Sequence, residues 1–367
     1  MMTSGTQRLA WVDMAKGLSI FLVVMMYCAA SVGEATGQTG VLHWAIAFAM
    51  PFRMPEFFLI SGLFLSQVID RPWRTYADRR ALHYFYFYAL WVAIHIVLKI
   101  ALAWRDPAGA LSALAVAVVE PYGVWWFIYM LGVFSLVSKL LHQVRIPPAA
   151  TLAVAAMLQL ASIQTGSYLI DQFAAYFLYF FAGYLFAPQL FRLADWAQSS
   201  RGAAAGVLLV WALINAVLVF TPGFRLYPVH IQMGWAALPG VHLIASMAGA
   251  IAIILCAALL MGLPRMDWLR RLGTHSLVIY LAFVLPMGIA RTLLLAVGIE
   301  EPSLLSLVVM AAAITAPLAL WWITSKLGFG QFLFERPSWA HLPGTANRIE
   351  TINRHPLPTD PIGAESR

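Results

Sequence analysis

Four residues with ionisable or strongly polar ends, Lys16, Tyr27, Arg53 and Glu56, fall inside or at the edge of two apolar runs near the start of the chain. Lys16 and Tyr27 are eleven positions apart, and at ~100° per residue that spacing returns to the same helix face. At 1.5 Å per residue Tyr27 stands about 16 Å above Lys16, roughly mid-membrane if Lys16 marks a boundary. The second run returns toward that boundary, so Glu56, fourteen residues before Asp70, is expected about 21 Å above it and level with Tyr27. A carboxyl at that depth is expensive unless it faces the interior of a bundle, where it marks a site. Two chemistries are open to it: accepting a proton from a hydroxyl, or pairing with Arg53 one turn away on the same face. A phenol titrates near pKa 10, which makes Tyr27 a poor base but a serviceable hydrogen-bond donor to a developing oxyanion.

A second constellation follows in RPWRTYADRR, where Arg71, Arg74, Arg79 and Arg80 precede His83. Guanidinium forks match phosphate oxygens bidentately, so either pair could hold a phosphorylated ligand; the same charges also serve as topology signals facing anionic lipid. Trp126, Tyr129 and Tyr280 are candidates for a substrate path, with an interfacial aromatic belt as the alternative. His95 and Lys99 share one helix face as a polar patch, and nothing in the sequence clusters ligands as a zinc centre does. Ser61, beside Gly62, reads as a helix-packing residue.

The elements that must carry these groups are membrane helices. Of 367 residues 62% are hydrophobic and 11% charged, with a mean hydropathy of +0.79, outside the range of soluble domains. The net charge of +7 is scattered through short loops and forms no stripe of the kind that binds nucleic acid. Cys28 and Cys256 both lie in apolar segments, which supports neither a disulfide framework nor a Cys-rich metal site. No cleavable signal peptide is evident, and the first apolar run reads as the first span. Ten segments approach the ~20 residues a span needs: 17–33, 42–68, 84–104, 122–141, 149–163, 172–186, 203–220, 241–261, 275–297 and 303–327. The short run 111–119 reads as re-entrant or interfacial. Eighteen of the 23 Lys and Arg residues then fall at the termini and in alternate loops, which predicts an all-α bundle of ten spans with both termini cytoplasmic. Residues 1–327 form the transmembrane domain, and the proline-rich stretch 328–367 is expected to be a largely disordered cytoplasmic tail.

WVDMAKGLSIFLVVMM, RMPEFFLISGLF, WWFIYML and GTHSLVIYL occur in an order that resembles the acyltransferase 3 family of multi-pass membrane acyltransferases, from about Arg8 to Lys326. The resemblance implies transfer of an acyl group, usually acetyl, from acyl-CoA to a carbohydrate or other cell-envelope acceptor, at the inner membrane and without a metal or prosthetic group. It also places Lys16 at the family's first-span basic position and likens Arg71 and Arg74 to its R-x-x-R motif. Two departures stand out, because Tyr27 and Phe283 occupy positions where the family pattern has histidine. A catalytically silent relative, a carrier of acylated or glycan substrates, and an ion-coupled transporter using Glu56 are the competing readings.

Overall fold

In hydrocarbon each backbone polar group must be satisfied within its own segment, and the apolar runs accordingly fold as helices. The computed structural model of the chain describes residues 4–103 and 105–345. Helix α1 (Ser4–Thr36) is followed by α2 (Val41–Ala49) and α3 (Arg53–Gly62), two halves of the second apolar run. The break falls at Pro51, which has no N–H to donate. Neighbouring helices satisfy the freed carbonyls: Ser246 donates to Pro51 O at 2.6 Å and Asn215 Nδ2 to Phe48 O at 2.9 Å.

Next comes one helical stretch, Trp73–Leu102, made of α4 (Trp73–Tyr76), a π-helical turn Ala77–Leu82, α5 (His83–Ile96) and a second π turn. The 111–119 run becomes part of α6 (Pro107–Ala117), capped by Asp106, whose side chain accepts from Gly109 N at 2.9 Å. Then follow α7 (Trp126–Gln143), α8 (Pro148–Leu160), α9 (Tyr168–Leu185), α10 (Ala187–Ser199) and α11 (Arg201–Phe220). A small hairpin pairs β1 (Arg225–Leu226) with β2 (Ile231–Gln232). The chain continues through α12 (Pro239–Leu260), α13 (Asp267–Thr274), α14 (Ser276–Ala282), α15 (Val284–Ala296) and α16 (Pro302–Leu327).

This is a helical, multi-pass membrane protein. Among the described residues six helices are long and apolar enough to cross a bilayer, and eight if α9–α10, bent by 74°, and α14–α15, bent by 56°, each count as one span. Two of the ten expected segments fall outside that number for local reasons. The second is split at Pro51, and α8, with 13 residues, is about 20 Å long against a core of ~30 Å.

Loops gather at two ends. At the end holding Lys16, His142 Nε2 lies 2.9 Å from Asp70 and Lys139 donates to the Arg71 carbonyl at 2.9 Å. There α1 and α13 also touch backbone to backbone, since a Cβ on Gly273 would stand 1.7 Å from Asp13 O. At the far end His43 Nε2 donates to Pro228 O at 3.0 Å, and Arg291 donates to Ser31 Oγ at 2.9 Å.

The first half of the expected tail is not loose. Residues 328–345 fold back on the α5 stretch, with Phe334 buried and Arg336 paired to Asp78, while 346–367 lie outside the described residues. A buried ion pair and an aromatic anchor order this stretch despite its polar composition.

Candidate active site

Helix α1 carries Lys16, Ser19 and Tyr27, and α3 carries Arg53, Glu56 and Ser61. The two helices do not meet in the expected register. Glu56 is fully buried and bonded to Ser19, whose Oγ lies 2.7 Å from Glu56 Oε2, eight residues and about 12 Å along α1 from Tyr27. Downstream, α3 ends at Gly62, and residues 63–70 form turns instead of continuing the helix. Glu56 sits level with Ser19 and not with Tyr27, in the interface between α1 and α3 and outside the lining of the cavities described below.

Arg53 takes the place expected of Glu56. Its guanidinium is within electrostatic reach of Tyr176, Tyr27 and Tyr168, and its Nε and Nη1 are buried without a hydrogen-bond partner. The expected pairing with Glu56 is not among the ion pairs of the described residues. Around this centre the aromatic rings close in. Tyr27 packs on Phe283 at 5.5 Å, and Trp126 on Tyr176 at 5.5 Å and Tyr168 at 6.0 Å.

Toward the Lys16 end a cavity of about 300 Å³ is lined by Lys16, Ser61, Arg79, Arg80, His83, Ser276 and Tyr280. Arg80 Nη2 donates to Phe64 O at 3.2 Å, which steadies the guanidinium at the cavity wall. Of the two arginine pairs, Arg79 and Arg80 thus join Lys16 and His83. Arg71 and Arg74 are not in the lining. Ser61 donates to the Phe57 carbonyl of its own helix at 2.7 Å, which commits its hydroxyl locally. The cavity also reaches Tyr280, its hydroxyl donating to Val124 O and its ring 5.7 Å from that of Phe127.

The family model of the acyltransferase domain matches residues 9–325. The chain belongs to the acyltransferase 3 family. No curated protein and no solved structure matches it.

At the far end of this acyltransferase bundle a second cavity, of about 440 Å³, is lined by Gln159, Gln164, Asp171, Gln172, Tyr176 and His242. A third, of about 100 Å³, lies under the hairpin and exposes Arg53 and His43. Tyr176 and Arg53 thus each face the aromatic centre and a far-end cavity. Tyr129 stands apart from all three, packed against Phe85 and Tyr88 and donating to Val118 O at 3.1 Å. The sequence reading passed over Tyr168 and Tyr176. Their spacing of eight on α9 puts both on one face, and that periodicity was the available signal.

Proposed function

We propose that this acyltransferase-family chain moves an acyl group, acetyl by its family resemblance, from acyl-CoA to a hydroxyl of a carbohydrate or other cell-envelope acceptor. The observation that carries this reading is the cationic cavity, where Lys16, Arg79 and Arg80 share a lining with Tyr280, three residues before the Phe283 that packs on Tyr27. Arg79, Arg80 and Lys16 would hold the CoA phosphates, with the thioester reaching inward past Tyr280. The acceptor would enter from the far-end cavity, whose side-chain amides, carboxylate and tyrosine suit a polyhydroxylated molecule.

In the transfer the acceptor oxygen bonds to the thioester carbonyl carbon, the C–S bond breaks, and the hydroxyl proton ends on the CoA sulfur. Tyr27 and the unpartnered guanidinium N–H groups of Arg53 are donors suited to the oxyanion formed on the way. The alternation of loop contacts between two ends supports ten crossings, and the charge asymmetry supports cytoplasmic termini in an inner membrane.

The test is thioester turnover by purified protein in nanodiscs, read as free CoA release with and without envelope glycans. Acceptor-dependent release is expected. Background release with every acceptor would move the reading to a carrier.

A further inference from the structure

Residues 328–345 return to the helix that bears the cavity arginines. Phe334 packs on Trp91 with centroids 5.8 Å apart, and Trp91 Nε1 donates to the Leu333 carbonyl at 3.0 Å. Beyond this anchor Arg336 grips Asp78 twice. Nη1 donates to the Asp78 carbonyl at 2.6 Å, and Nη2 lies 2.6 Å from carboxylate Oδ2. Leu342 N donates to Oδ1 at 2.8 Å, and His341 Nδ1 is 3.0 Å from Oδ2. The Asp78 side chain is 0% exposed and that of Arg336 3%.

Asp78 belongs to the π-helical turn Ala77–Leu82 and immediately precedes Arg79 and Arg80. An unmatched buried carboxylate there would carry a large desolvation cost and repel an anionic ligand held by the next two residues. Matched by Arg336, it leaves Lys16, Arg79 and Arg80 to set the sign of the cavity. The two Arg336 contacts and the Leu342 N–H bond to Asp78 also fix the turn from which both arginines project.

We infer that Arg336 and Asp78 are positioning residues of the donor site, with the stretch 328–345 serving as a clamp that neutralises the arginine-bearing turn and holds it in place. The inference rests on the acyl-CoA reading above. A simple anchor for the chain end would need no charge match, and this difference can be measured.

The full chain in nanodiscs is compared as wild type, Arg336→Gln, Asp78→Asn and the double variant. CoA affinity is measured by calorimetry, and amide hydrogen exchange is followed over residues 77–83. Arg336→Gln is expected to raise the Kd for CoA by about tenfold or more and to speed exchange, because it strands a buried charge. The double variant removes both charges, and its Kd should return to within about threefold of wild type. Equal affinity in wild type and Arg336→Gln, or a double variant no better than that single one, overturns the inference. If wild type binds no CoA the donor reading falls, while exchange still decides the clamp: faster exchange in Arg336→Gln upholds it, and unchanged exchange overturns it.

Discussion

The rings of Tyr27 and Phe283 lie against each other with centroids 5.5 Å apart, one from α1 and the other from the junction of α14 and α15. The resemblance leads one to expect histidine at both positions, and the two residues present there form one contact. Tyr27→Phe keeps this packing and removes only the hydroxyl. If that hydroxyl donates to the oxyanion, kcat for CoA release should fall by about 10² to 10³ with little change in KM for the donor. Unchanged kcat would remove Tyr27 from the chemistry. Tyr27→His places an imidazole against Phe283 and should raise release in a protein that is otherwise silent.

Glu56 invites the opposite expectation. Ser19 Oγ lies 2.7 Å from Glu56 Oε2 and 2.9 Å from Ala15 O, and one hydroxyl proton cannot serve both acceptors. An amide at position 56 can donate to Ser19 while Ser19 donates to Ala15. Glu56→Gln should therefore fold with an equal or higher thermal midpoint and keep turnover within about threefold, since the hydrogen-bond count is preserved. A folded Glu56→Gln protein that has lost turnover would restore Glu56 as the proton acceptor.

The two arginine pairs separate cleanly in the structure and should do so in binding. Replacing Arg79 and Arg80 by Gln should weaken CoA by about 1.5–3 kcal/mol per lost charge-assisted contact, measured by calorimetry. Replacing Arg71 and Arg74, outside the cavity lining, should change Kd by no more than about twofold. The reverse ranking would move the donor site to the outer half of the turn.

Crossing number is tested by cysteine labelling in intact cells. Single cysteines at Glu34, Gln164 and Glu300 should react with an impermeant maleimide, and one at Ser199 only after permeabilisation. External labelling at Ser199 would break the ten-crossing order.

The sequence made the helical, membrane-spanning class legible because apolar run length answers directly to bilayer thickness. It also put Lys16 and Tyr27 on one stripe, since both lie on the uninterrupted α1. Glu56 escaped because its depth was counted through residues 63–70 as if they were helical, whereas they turn. Arg53 is legible, but two of the three tyrosines near it, Tyr168 and Tyr176, come from α9, more than a hundred residues away, a proximity no local periodicity encodes. Composition misread 328–345 for a similar reason. Prolines and charges look solvated until their partner, here Asp78, is known.

The grip of Arg336 on Asp78 also bears on biosynthesis. The two residues are 258 positions apart, and the earlier one enters the membrane long before the later one leaves the ribosome. A nascent chain that has inserted all its apolar helices still has an unmatched acid beside its donor pocket. With the clamp reading, a product stopped before Arg336 is a bundle whose arginine-bearing turn is left unmatched and loosely held.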